Sequence, residues 1–373
     1  MRRKSPSLFD KTSQTIFQSL LTWEKLVESF GDLRLEDEEL IQLVAIGSKQ
    51  DIPTLLQSHN SPKGLRLIGS GKGLSHFEYH RKFGREKQHS VAGQFVVAHP
   101  TSDPIYLLLF IAEPRFWRQG ILPLTESLYP KAARPFLTQG EIHRLLKNVQ
   151  RAVQPQRLRV LEFSSKQRLA AVARKRFQSV REWTDREFDS VFKEAAERNV
   201  WFRSVSFDIV AEEHGRLVPR GAGAKLSKYG YFGCDGNFPL FEKTIIRDLI
   251  QIASERLKFF SNRERLSTPN HAPSPLQIEY EFDIFKASDQ TTKLVEAMRR
   301  FKHGRCTILH ANPYVHLSIV DNIDFSPADL WVLSQNQILL VPQIRASEVA
   351  LKRIVNHTFE NFREGKISEF QER

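Results

Sequence analysis

The stretch Ile105-Tyr106-Leu107-Leu108-Leu109-Phe110-Ile111-Ala112 is the longest apolar run in the chain, and Pro104 and Pro114 close it at either end. Eight residues suit a strand and fall far short of the ~20 that a membrane helix needs. Its neighbours read the same way. Gly64–Ile68 runs into the glycine-rich turn Gly69-Ser70-Gly71-Lys72-Gly73, and Leu74–Phe83, Val91–His99 and Ile105–Glu113 follow as strand candidates. Pro100 and Pro104 punctuate them, so residues 64–112 form a block of β-structure. The turn is no phosphate loop: Arg66 stands where the first glycine is required, and Gly73 stands in place of the Ser or Thr that binds Mg²⁺.

Helical spacing dominates elsewhere. Ile16, Leu20, Trp23, Leu26, Val27 and Phe30 recur at three- and four-residue intervals. The acidic run Glu36–Glu39 before Leu40-Ile41 suits the first turn of a second helix, where the macrodipole favours negative charge. Ser48 suits the cap of a third, through Leu56. Thr138-Gln139-Gly140-Glu141 and Thr184-Asp185-Arg186-Glu187 both have the capping-box pattern. Arg157–Phe163 reads as a strand, Ser164–Gln178 as a helix and Trp201–Val210 as a strand. The apolar stripe Ile245, Ile246, Leu249, Ile250, Ala253, Leu257 marks a long helix over 238–260. Beyond it the pattern predicts strand 276–285, helix 290–301, strands near 305–310, 314–321, 330–334 and 337–342, and helix 346–363.

Strands and helices mix without regular alternation, which predicts an α+β class rather than a doubly wound fold. A length of 373 residues suits more than one domain. The expected division is a helical region over 1–60, a basic α+β domain over 61–260 and a C-terminal α+β domain over 276–373. The Pro- and Ser-rich stretch 261–275 is a linker or functional loop.

Charge is concentrated. The chain carries a formal net charge of +12. Residues 151–181 hold nine Lys or Arg against Glu162, and residues 61–89 hold seven against Glu78 and Glu86. These two stretches account for the whole excess. Affinity for a phosphate backbone comes from many closely spaced cations releasing counterions, so the pattern predicts nucleic acid, DNA or RNA, as the partner. On that expectation Arg157, Arg159, Lys166, Arg168, Arg174, Lys175, Arg176 and Arg181 contact phosphates, joined by Lys72, Arg81, Lys82 and Arg85. Lys225, Lys228, Tyr229 and Tyr231 add aromatics between cations, a pattern suited to base stacking. Such a chain needs no cofactor and suits a non-catalytic subunit of a nucleoprotein assembly. An adaptor meeting an acidic protein or an anionic membrane uses the same cations.

Two further constellations point to metal chemistry. In Leu276–Ile284, period-two alternation sets Glu279, Glu281 and Asp283 on one strand face with Lys286 beyond. Such a face can hold Mg²⁺ for a nuclease. On a strand, His76, Glu78 and His80 share a face that offers metal ligands. The two cysteines, Cys234 and Cys306, allow at most one disulfide, and no apolar leader follows the basic start Met1-Arg2-Arg3-Lys4. Both features predict a cytoplasmic setting.

Overall fold

The computed structural model describes residues 22–31, 35, 39–58, 62–85, 88–168, 179–214, 216–265, 274–311 and 314–370. They form a mixed α+β protein with two sheets. The chain divides into two compact units, each assembled from separated segments. One comprises Met1–Phe163, Glu182–Phe192 and Arg203–Ser254, the other Ser164–Arg181, Lys193–Phe202 and Glu255–Arg373.

The larger sheet takes β1 (Leu40–Ser48), β2 (Leu65–Gly71), β3 (Leu74–Phe83), β4 (His89–Ala98), β5 (Ile105–Ala112) and the short β6 (Ala132–Ala133). It continues with β7 (Arg157–Gln167), β8 (Ser179–Glu187), β9 (Val200–Glu213), β10 (Arg216–Ser227) and β11 (Tyr231–Cys234). Their order is β2-β3-β4-β5-β1-β11-β10-β9-β7-β8, with β6 beside β1. The apolar run is β5. It lies between β4 and β1, with Leu109 opposite Leu43 on one side and Val96 on the other.

One set of its alternating residues, Tyr106, Leu108 and Phe110, joins Val44, Ile46, Phe77 and Phe95 in a core. Ile52 and Leu56 from helix α1 (Ile52–Gln57) belong to the same core, as do Phe116, Ile121 and Leu124. These last three come from α2, in which the turns Pro114–Phe116 and Leu122–Ser127 flank a π-helical turn, Trp117–Ile121. The intervening Leu107 and Leu109 are equally buried. Covered on both faces, β5 has no solvent side to require polar alternates, which is why the run is unbroken.

The smaller sheet lies in the second unit. Its strands are β12 (Leu276–Glu279), β13 (Gly304–His310), β14 (His316–Asp321), β15 (Pro327–Ser334), β16 (Gln337–Pro342) and β17 (Lys366–Glu369), in the order β13-β14-β15-β16-β12-β17. Leu317, Ile319, Leu330, Ile338, Leu340 and Ile278 are buried at alternate positions. Buried faces of α3 (Ser288–Arg299) and α4 (Glu348–Asn361) complete this core through Leu294, Met298, Leu351, Ile354 and Phe359.

Much of the local chemistry was legible. The Thr138 hydroxyl accepts the Glu141 N–H at 3.2 Å, and the Glu141 carboxylate accepts the Thr138 N–H at 2.7 Å. This closed capping box opens the helix Gln139–Ala152.

Four expectations need correction. Residues 40–48 are not helical but form a strand paired with β5 and β11. The β-branched Ile41, Val44 and Ile46 favour extended backbone, and an apolar run does not by itself distinguish the two periods. The short helix is capped by Asp51, which accepts the Thr54 N–H at 2.9 Å, while the Ser48 hydroxyl donates to the carbonyls of Gln50 and Lys131. Residues 184–187 end β8, so the helix starts later, at Phe188–Glu197. Ser164–Gln167 extend β7 instead of starting a helix, and 169–178 lie outside the described residues. The N-terminal helical expectation is therefore carried only by Trp23–Ser29 and Ile52–Gln57 among the described residues. Ile16 and Leu20 lie outside them. No described helix is long and apolar enough to cross a membrane.

Candidate nucleic-acid interface

From Arg157 to Arg168, the cations of the richer basic segment are engaged in internal contacts. Arg157 pairs with Glu187 at 3.5 Å and Arg159 with Asp208 at 3.3 Å. Lys166 meets Glu360 at 2.9 Å and also faces the Trp201 ring. Arg168 is 4% exposed. Its Nε donates to the Phe359 carbonyl at 2.9 Å and one Nη to Asn199 at 2.8 Å, with Glu364 at 3.6 Å. Burial lowers the Arg168 pKa, and Glu364 opposes that shift. A buried guanidinium saturated in this way holds the fold together and is not available to a phosphate. Arg174, Lys175 and Arg176 lie outside the described residues, as does the side chain of Arg181.

The aromatic–cation group near Lys225 is inward-looking too. The Lys225 ammonium pairs with the buried Glu162 carboxylate at 3.4 Å. Lys228 is fully buried, and Tyr229 packs beneath the Arg134 guanidinium at 5.4 Å. The buried Tyr231 donates its hydroxyl to Gln42 at 2.9 Å, stacks on Trp117 at 4.6 Å, and is held well above the usual phenol range by burial. Neither Lys228 nor Tyr231 presents a surface to a base. Beside them, Asp235 accepts the Gly223 N–H at 2.6 Å. A Cβ on Gly223 would meet the Asp235 and Asp208 carboxylates at 2.8 and 3.0 Å, so only glycine lets them approach. Burial, reinforced by Asp208, raises the Asp235 pKa, against the pull of the Gly223 N–H.

The acidic strand face does not form. β12 stops at Glu279; Glu281 lies in the bend that follows, and Asp283 precedes the 3-10 turn Ile284–Lys286. The alternation that aligned Glu279, Glu281 and Asp283 with Lys286 therefore ends before the second acid. The His76, Glu78 and His80 set does lie on one strand, β3. However, His76 is buried, Glu78 is bound to Arg66 at 2.7 Å, and His80 is exposed. Among the described residues, no group of three or more His, Cys, Asp or Glu is placed to hold a metal ion.

The end of the β3–β4 hairpin behaves differently. Strand alternation sets Arg81 and Phe83 on one face and His80 and Lys82 on the other. β3 stops at Gly84, whose φ of +89° favours glycine; a Cβ there would come within 3.0 Å of the His89 ring. Exposed Arg85 follows. The Gly64 carbonyl accepts the His80 N–H at 2.9 Å, which brings exposed Lys63 alongside. The first turns of α2 contribute exposed Arg115. Arg81 donates to the backbone carbonyl of Gln119 at 2.7 Å, and Arg115 donates to the side-chain oxygen of the same residue at 3.4 Å. Among the described residues, no carboxylate pairs with Lys63, Arg81, Lys82, Arg85 or Arg115. Lys72 is exposed as well, but it occupies the opposite end of the ten-residue β3, ~30 Å away.

Sequence reasoning singled out Arg81, Lys82 and Arg85, left Lys63 as one more charge of the segment, and missed Gln119 and Arg115. Its signal was present in Pro114-Arg115-Phe116-Trp117-Arg118, where cations and aromatics interleave. The chain matches no family model and no curated protein sequence.

Proposed function

We propose that this protein binds the phosphate backbone of nucleic acid through the end of the β3–β4 hairpin, with Lys63, Arg81, Lys82, Arg85 and Arg115 as the contacting cations. One observation carries the reading: these five side chains gather at one strand end with no carboxylate partner among the described residues. Unneutralised cations at close spacing are what counterion release requires. Gln119 adds pre-organisation, because two guanidiniums anchored to one residue lose less freedom on meeting a phosphate. Lys72 stands too far off to share the same few nucleotides.

The test is a titration of labelled oligonucleotide over a range of salt concentrations. The parent protein is expected to show steeply falling affinity. The paired reversal Lys82→Glu with Arg85→Glu is expected to make the log–log salt slope shallower by about 2. A slope unchanged by that reversal would overturn the assignment.

A further inference from the structure

Phe83 closes β3 on the face of this cation group that carries Arg81 and Arg115. Its ring is half-buried, with the Arg81 guanidinium carbon 5.9 Å and the Arg115 carbon 6.0 Å from its centroid. The His89 imidazole lies 5.7 Å away, tilted by 33°. A partly exposed aromatic ring with two guanidiniums about 6 Å from its centroid sets a flat surface and positive charge within the span of a single nucleotide. A duplex cannot use both, because its base faces are hidden in its own stack and only its backbone reaches outward. An unpaired nucleotide presents a base face and a phosphate together. We infer that the ligand is single-stranded nucleic acid, with an unpaired base stacking at Phe83 while Arg81 and Arg115 hold the flanking phosphates. This rests on the nucleic-acid reading above and names the strand state that reading leaves open.

The geometry also sets what should be indifferent. Stacking on a phenyl ring is tolerant of base identity, so the site should favour unpaired strands without a strong sequence preference. Both guanidiniums are hydrogen-bonded to Gln119 as well as lying near Phe83, so replacing the ring should leave those anchors in place.

The test compares a labelled oligothymidylate of about twenty nucleotides with the matching duplex, using Phe83→Leu, Phe83→Trp and the Lys82→Glu/Arg85→Glu protein. Phe83→Leu keeps apolar volume and removes the stacking face. It is expected to weaken the single-strand complex about tenfold and to leave the duplex complex unchanged, while Phe83→Trp keeps both affinities. Equal losses on both ligands, or none on either, in Phe83→Leu would overturn the inference while the double reversal still weakened both. If the double reversal changed neither, the underlying reading would fail first. Should Phe83→Leu not fold, Phe83→Trp carries the test: single-strand affinity at least equal to the parent supports stacking, and a selective loss refutes it.

Discussion

The described cations of the two basic segments have different fates in the fold. In 151–168 each cation from Arg157 onward meets an internal partner: Glu187, Asp208, Glu360 or the Phe359 carbonyl. In 61–85, among the described residues, only Arg66 is paired with a carboxylate, Glu78. The difference lies in what the neighbouring elements bring. β7 lies inside the sheet between β8 and β9, which carry Glu187 and Asp208. At the end of β3, Arg81 and Lys82 stand opposite Val91 and Ser90 of β4, and among the described residues no acid meets them. Linear charge density counts the cations; the cross-strand neighbour decides which of them stay free.

That contrast can be broken most forcefully at Arg168. Arg168→Ala strands Glu364 and the Phe359 carbonyl without their donor, and is expected to destabilise the protein by about 3 kcal/mol, read from a urea melt. Oligonucleotide affinity of the folded fraction should stay within about twofold of the parent. A stable Arg168→Ala protein with weakened binding would reverse the roles given to the two segments.

The next effect belongs to Arg115. Arg115→Glu is expected to weaken oligonucleotide binding about tenfold with melting temperature unchanged, because its side chain is exposed and its contacts, with Gln119 at 3.4 Å and the Phe83 ring at 6.0 Å, are long. An unaltered affinity would remove α2 from the interface.

Smaller still is Arg157→Ala. Its pair with Glu187 is exposed on both sides, so stability should shift by no more than about 0.5 kcal/mol. A larger loss in thermal denaturation would show that β7 depends on surface pairs more than its geometry implies.

The weakest effect is one of pH. Asp235 holds its proton more tightly folded than unfolded, since burial raises its pKa. Its contribution is therefore fully present below the unfolded carboxylate pKa and is lost as pH rises through the folded value. Asp235→Asn should flatten that part of the stability–pH curve, measured by urea midpoints between about pH 3 and 6. A parent curve already flat there would contradict the account of Asp208 and Asp235.

These outcomes follow the line between what residues reveal alone and what pairing reveals. Period, capping and punctuation located β3, β4, β5 and the Thr138-capped helix, because those signals are local. They misread Leu40–Ser48, whose strand state depends on β5 and β11 lying on either side. They also extended β12 too far, since alternation continues in sequence past Glu279 after the ladder has ended. The candidate site divides in the same way. Arg81 and Lys82 were visible as charge on a strand and Arg85 as charge just beyond it. Arg115 was not, because only the fold brings α2 beside Phe83. Arg159, Lys225 and Lys228 looked equally available until Asp208, Glu162 and the sheet interior claimed them.

The central claim is that the cations of the β3–β4 end make the contact, and charge reversals in each basic segment test it. Salt-dependent titrations of one labelled oligonucleotide should compare Lys82→Glu/Arg85→Glu with Arg174→Glu/Lys175→Glu/Arg176→Glu. The hairpin reversal is expected to flatten the log–log slope by about 2, and the other to leave it close to the parent's. A slope flattened only by the reversal at 174–176 would contradict the claim outright.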